Sequence, residues 1–463
     1  MTMTLPNPPV APRLQPAHVS DKRHEVICYN ENLVGREMST EGPSIRKDVN
    51  PINERVLLLV LAAVQFTIVL DFLIMMPLGP QYMRVFAITS GQFGLIVSAY
   101  AVSAGLFGIA AGFGLDRFDR KQALLWLSFG FTIGTFLCAS APSYPLLVAA
   151  RVVTGAFGGV EGALILAIIG DVIPDERRGA AMGIVMSSYS VASICGVPIG
   201  LALASQLSWH VPFFILGGLC SVILVAEARV LPPLRGHLHH ARGQHPAARV
   251  LSVMMHADHQ KAFLFMAALT SSSFVIFPYL SAYMVADVGL TEKQLPFIYL
   301  AGGSCTIFSM NLIGQWADRA GKLRVFTLMT LSTVLPILTL TNLPRVPLYA
   351  ALATSTVFMI CMSGRFVPAM ALMTSSIESR YRGGFMSINS SVQQFSSGLA
   401  AYLSGQIIGQ APGGVMTHFP AIGLLSVGCG FTSIYLARFL KLSDDQRLSD
   451  GSPLETPPAS PTV

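Results

Sequence analysis

The chain has 463 residues, of which 52% are hydrophobic and only 12% charged. Soluble globular domains carry about 25% charged residues, so the composition excludes that class. The net charge of +6 is distributed as membrane topology requires, and no nucleic-acid-binding element is visible.

Residues 1–54 are polar and Pro-rich, lack the apolar core of a signal peptide, and read as a disordered cytoplasmic tail. From residue 55 onward, charges cluster between apolar runs of about 20 residues, the length that crosses a ~30 Å hydrocarbon core as a helix. Spans are predicted at roughly 55–78, 92–113, 122–140, 145–171, 181–205, 210–228, 262–285, 294–314, 324–342, 347–375, 384–409 and 418–437. The expected fold is an all-α membrane protein of twelve transmembrane helices in two six-helix bundles. The N-terminal bundle covers 55–229, a cytoplasmic linker 230–261, the C-terminal bundle 262–440, and a second disordered cytoplasmic tail 441–463. One set of loops, with both tails, holds 25 Lys and Arg, and the opposite loops hold three, Arg84, Lys293 and Arg345. That bias places both termini in the cytoplasm. The linker histidines His237, His239, His240 and His245 are irregularly spaced and read as a solvated segment, not a metal site. Cys138, Cys195, Cys220, Cys305, Cys361 and Cys429 lie within spans as small packing residues and Cys28 in the first tail, so neither a disulfide nor a zinc framework is expected.

Charges inside spans are costly and mark function. Asp71 lies about 24 Å into the first span, counted from Arg55 at 1.5 Å per residue. Arg151 lies ~9 Å from the other end of the fourth span, at a similar depth. The two can pair, and protonation of Asp71 would then release Arg151; the plainer reading is a permanent ion pair. Glu161 and Arg365 are the other deep charges. Arg151 and Glu161 are ten residues apart, hence ~15 Å apart and about 80° around the helix, and cannot pair with each other.

An internal repeat relates the two halves. Gly112-Phe-Gly-Leu-Asp116-Arg117 returns as Gly314-Gln-Trp-Ala-Asp318-Arg319, an offset of 202, and Arg178-Gly179 returns as Arg382-Gly383, an offset of 204. Both matches occupy the same topological slot, as parallel repeats of six helices require. The second offset carries Glu161 onto Arg365. Glycines at four-residue spacing, Gly108/Gly112, Gly155/Gly159 and Gly196/Gly200, suit close helix packing.

These motifs resemble the major facilitator superfamily over nearly all of residues 55–440. The loop Gly112–Lys121 is similar to that superfamily's signature between helices 2 and 3, with Asp318–Lys322 as its echo. Arg151 to Gly159 resembles the helix 4 motif of proton-coupled members. Gly196-Val-Pro198-Ile-Gly200, followed by Trp209, resembles the helix 5 motif of antiporters. Leu70-Asp71 with Pro77-Leu-Gly-Pro80 is similar to helix 1 of the twelve-helix drug and sugar efflux branch, nearest the arabinose-efflux-permease-like proteins.

The resemblance implies bundles related by a pseudo-two-fold axis. It also implies a conformational latch from Asp116, Arg117, Arg120, Asp318 and Arg319, and a gate in which Glu161 meets Arg365 when the cytoplasmic side closes. Asp71, Arg151 and Glu161 are then the proton-coupling residues, and Gly196, Pro198 and Gly200 a hinge, because Pro breaks the helix ladder. Tyr100, Tyr279, Gln393 and Gln394 are candidates for a substrate cavity. The expected function is proton-coupled efflux (antiport) of a small organic molecule such as a drug or sugar, by a monomer in the plasma (bacterial inner) membrane. Its partners are protons, substrate and lipid, with no cofactor beyond the proton gradient. Uptake of a metabolite by symport or uniport is the alternative. Neither an ATP-binding loop nor a nucleophile–base constellation is present, so an enzyme is not expected.

Overall fold

In the computed structural model, residues 54–234, 246–377, 382–411 and 415–440 are described. The first six spans are α1 (Glu54–Met75), α3 (Ser90–Ala111), α4 (Arg120–Ala139), α5 (Tyr144–Val172), α6 with α7 (Asp175–Val191, Val197–Gln206) and α8 (His210–Val230). A short helix, α2 (Gly79–Val85), sits between the first two. After α9 (Pro246–Met255), the second six are α10 with α11 (Ala257–Phe274, Leu280–Ala286), α12 (Leu295–Ala320) and α13 with α14 (Lys322–Ser332, Val334–Thr341). They continue with α15 and α16 (Leu348–Gly364, Phe366–Ser375), α17 (Arg382–Ile407) and α18 (Phe419–Ala437). Among the described residues, eleven of these segments are apolar and long enough to cross a membrane. The twelfth, α17, has 26 residues. It is more polar because it buries Asn389, Ser391, Ser396, Ser397 and Ser404 against protein instead of facing lipid.

Local chemistry sets the helix ends. Thr89 and Gln92 form a capping box at the start of α3: Gln92 N–H donates to Thr89 Oγ1 (3.3 Å), and Thr89 N–H donates to Gln92 Oε1 (2.9 Å). Asp119 caps α4 by accepting from Lys121 N–H at 2.9 Å. Gly321, at φ 93°, makes the left-handed turn that ends α12 and starts α13.

Packing repeats between the halves. In the first half α1 lies on α6 and α8, α3 on α5, and α4 on α8; in the second α10 lies on α17 and α18, α12 on α15, and α14 on α18. This is the correspondence that two related six-helix bundles require. The halves meet along two seams that the same symmetry exchanges, α3 against α17 and α7 against α12. Twelve spans put α1's start and α18's end on one face, here the tail face. Inside the stretch read as a linker, α9 brings Val250 toward Gly112 and Val253 toward Gly384, and so touches both halves.

Candidate functional site

Asp71 and Arg151 meet in the core of the first bundle. Arg151 Nη1 donates to Asp71 Oδ2 at 2.6 Å, and the side chains are 0% and 1% exposed. α1 and α5 carry the two residues, and α3 closes the site from the side. The Arg151 guanidinium lies 4.4 Å from the centre of the Tyr100 ring on α3, a cation–π contact that strengthens when water is excluded. Asp71 Oδ1, Arg151 Nε and the Tyr100 hydroxyl have no hydrogen-bond partner. Gly155 and Gly159 make this approach possible. A Cβ at Gly155 would strike the Tyr100 carbonyl oxygen and Ser103 Oγ, and one at Gly159 would meet Ala104. Next to Asp71, the Phe72 ring lies 5.3 Å from Tyr100 and 5.8 Å from Phe274 of the second half. The ion pair is thus one aromatic ring away from the partner bundle.

Glu161 and Arg365 do not meet in this state. Glu161 is buried and accepts a short hydrogen bond from Ser128 Oγ. The same hydroxyl lies 3.1 Å from Glu227 Oε1 on α8, a buried carboxyl near the tail face. Arg365, at the break between α15 and α16, is fully buried and donates from Nη2 to Ser273 Oγ at 3.0 Å. Its Nε and Nη1 have no partner.

The loop between α3 and α4 is fastened to its own half. Arg120 Nε pairs with Asp171 Oδ2 on α5 at 2.9 Å. Lys121 Nζ donates to the Ala228 carbonyl at the end of α8 (2.9 Å), and Asp119 Oδ1 accepts from Leu234 N–H (3.1 Å). Asp119 has φ −58°, so its position needs no glycine. The Asp116 side chain lies outside the described residues, as do the linker histidines and the Arg382 side chain. Arg117, Asp318 and Arg319 are exposed and make no ion pair among the described residues.

The two seams close to different extents. The α3–α17 seam runs from Gly91 against Gln406 to Gly108 against Ser391. On the face opposite the tails, Arg84 pairs with Glu292 across the halves, the Tyr279 hydroxyl reaches the Ser90 carbonyl (3.4 Å), and Gln410 Nε2 donates to Ser90 Oγ (3.4 Å). The second seam packs α7 and the segment before it on α12, with Gly303 beside the Ser193 carbonyl, whereas α6 and the tail-face half of α12 make no comparable contact. The α7–α12 seam is therefore tighter toward the face opposite the tails than toward the tail face. The tail-face limit of that tight contact is a π turn, Ala192–Gly196, in which Val197 N–H reaches back to Ala192 O. Pro198 follows and withholds the next amide, so both features kink the span at one place. Gly196 and Gly200 lie against Leu70 and Ile74 of α1. Of the residues expected to line a cavity, Tyr100 and Tyr279 are fully enclosed in this state, while Gln393 and Gln394 are half-buried on α17.

Comparison with known proteins fits this architecture. The Major Facilitator Superfamily model matches residues 61–401 and 262–461. The chain belongs to the Major Facilitator Superfamily. Relatives include an uncharacterized MFS-type transporter of Bacillus subtilis, YceJ, 28% identical over 80% of this chain and 91% of that protein. Another is the inner membrane transport protein YdhP of Escherichia coli K12, 24% identical over 74% and 86%. Among solved structures, a bacterial homologue of the human lysosomal transporter Spinster, in an inward-facing and unoccupied conformation, aligns with a TM-score of 0.65. The alignment has 16% identity and covers 84% of this chain and 95% of that one. The nucleoside transporter NupG aligns with a TM-score of 0.65 at 13% identity over 84% and 100%. The chain is a multi-pass membrane transporter and not an enzyme.

Sequence reasoning missed three polar residues of this transporter. Glu227 lies one residue inside the predicted end of the sixth span; its spacing of seven from Cys220, two helical turns on one face, is the signal that marks it. Ser128 and Asp171 carry no sequence signal that separates them from other polar residues near a span end.

Proposed function

We propose that this transporter is a proton-coupled antiporter that exports a small organic molecule across the bacterial inner membrane. The observation that carries the reading is the Asp71–Arg151 pair: a carboxylate with no exposure, one oxygen on a guanidinium and the other without a partner. Replacing the guanidinium's share of that carboxylate with a proton neutralises Asp71 and strands the Arg151 charge over Tyr100. Because Phe72 joins this cluster to Phe274, the change alters a contact between the halves. A proton bound in one state and released in the other then biases the equilibrium between them.

With 25 of the 30 basic residues on the tail face, that face is cytoplasmic and both termini lie inside. The looser end of the α7–α12 seam then faces the cytoplasm. Rocking about the π turn and Pro198 closes it, which brings the loops of Asp116, Arg117, Asp318 and Arg319 to the opposing half and Glu161 toward Arg365. Gln393 and Gln394 on α17 offer amides to the substrate path. The working unit is a monomer, since both seams lie within one chain.

Proteoliposomes carrying an internal pH-sensitive dye test this. Addition of transported compounds from a chemically diverse panel moves protons through the wild type. Asp71→Asn, which keeps the hydrogen-bond acceptor for Arg151 but cannot exchange a proton, abolishes that movement. Compound-evoked proton movement at wild-type rates in D71N would overturn the proposal.

A further inference from the structure

The cluster around Ser128 has a feature that the Asp71 site lacks: two carboxyl groups and no cation. Glu161 is 1% exposed and Glu227 0%. Each presents its Oε1 to Ser128 Oγ, and each leaves Oε2 without a hydrogen-bond partner. Both line a cavity of about 10 Å³ between α1, α4, α5 and α8, which is room for one water. The other polar groups facing it are Thr67, Thr132 and Cys220, and no Lys, Arg or His lines it. Two carboxylates at this site would both lose their hydration and would repel each other in a low-dielectric surrounding.

Hydrogen-bond arithmetic requires at least one proton on the pair. A serine hydroxyl has one hydrogen and two lone pairs. Ser128 gives its hydrogen to one carboxylate. The other carboxyl oxygen then faces a serine lone pair within hydrogen-bond distance, an arrangement that is attractive only if that carboxyl carries a proton and donates it. The chain Glu–COOH to Ser–OH to Glu–COO⁻ satisfies all three groups with one proton. It can also run in reverse, moving the proton from one glutamate to the other when Ser128 rotates. The matching site in the second half is different: the offset of 204 carries Glu161 to Arg365 and Glu227 to Phe431.

We propose that Glu161 and Glu227, bridged by Ser128, form a second proton-binding site in the first bundle, holding one proton as a carboxylic acid–carboxylate pair. The site lies next to the tail-face loop, since Ala228, adjacent to Glu227, accepts the hydrogen bond from Lys121. Loading or emptying it therefore changes charge beside the loop that fastens α4 to α8. The proposal rests on the chain being a membrane transporter, not on Asp71 carrying the coupled proton.

Infrared spectroscopy of the full chain in nanodiscs tests it without any substrate. The expected result is a carboxylic-acid C=O band at neutral pH that shifts in D₂O and survives Asp71→Asn. Either Glu161→Gln or Glu227→Gln alone removes that same band, because the remaining carboxyl then takes the serine hydrogen as an ion. The glutamine amide can donate to Ser128 Oγ, so both variants keep the bridge and fold; gel filtration and melting confirm this. A band that persists in both variants, or two bands each lost with its own glutamate, overturns the shared proton. So does a band absent in sodium buffer and restored in its absence, which would make this a cation site. None of these outcomes bears on D71N transport, so the two readings fail separately.

Discussion

Removing Asp71 while leaving Arg151 in place tests the energetics of the buried pair. Both side chains are sealed, at 0% and 1% exposure, and the single strong contact is the 2.6 Å hydrogen bond. Asp71→Ala strands a guanidinium that no water reaches, and breaking a buried pair from one side costs about 3–5 kcal/mol. D71A should therefore lose about 3–5 kcal/mol, because the Tyr100 contact is present in both proteins and cancels. Removing both charges with D71L/R151M should recover most of that loss, or even gain, because apolar replacements of buried pairs are often neutral or stabilising by about 1–4 kcal/mol. Unfolding in mixed micelles, read as a double-mutant cycle, measures the coupling. The reasoning is refuted if D71A unfolds like the wild type, or if D71L/R151M is as unstable as D71A.

Gly155→Ala forces a methyl onto the Tyr100 carbonyl and Ser103, so α3 and α5 must part; a loss of about 1–3 kcal/mol is expected, and an unchanged unfolding midpoint would argue against tight packing. Cysteines at 84 and 292, with the native cysteines replaced by serine, should be joined across the closed face by a bis-methanethiosulfonate reagent about as long as the Arg–Glu pair it replaces, and transport should stop until reduction. Failure to crosslink would mean that the Arg84–Glu292 contact is not populated. Burial pushes the Asp287 carboxyl above its ordinary value of 3.8, with the Met416 N–H and Arg345 pulling it back. The folded state thus holds this proton to higher pH than the unfolded chain, and stability from this group falls as pH rises from 3.8 through the raised value. Asp287→Asn keeps an acceptor for Met416 N–H and should flatten that part of the melting-temperature profile; an unchanged slope would contradict it.

Much of this molecule is legible in its sequence because lipid imposes one rule on every span. Charges at Arg84, Arg117 to Lys121, Arg177 and Arg178 bracket runs that can only be helices. Depth along the spans allowed an Asp71–Arg151 pair, and the packing of α1 on α5 makes the contact. Pro198 marks the kink, but the π turn before it has no residue signature, as Ala192 to Gly196 are ordinary helix or packing residues. The α9 helix was hidden because the linker around it is Pro-, Arg- and His-rich, and composition over the whole stretch masks ten residues of apolar face. Glu161 shows the limit of the repeat: its offset leads to Arg365, but its partners come from α4 and α8, and which neighbours a side chain meets is fixed by packing, not by register.

The central claim is that protons and substrate move in opposite directions through a switch centred on Asp71. The direct measurement is accumulation of a transported compound in proteoliposomes under an imposed pH gradient of either sign. Accumulation in the acidic compartment, reversing when the gradient is reversed and absent in D71N, is the predicted result. Accumulation in the alkaline compartment, or accumulation indifferent to the gradient, would contradict it.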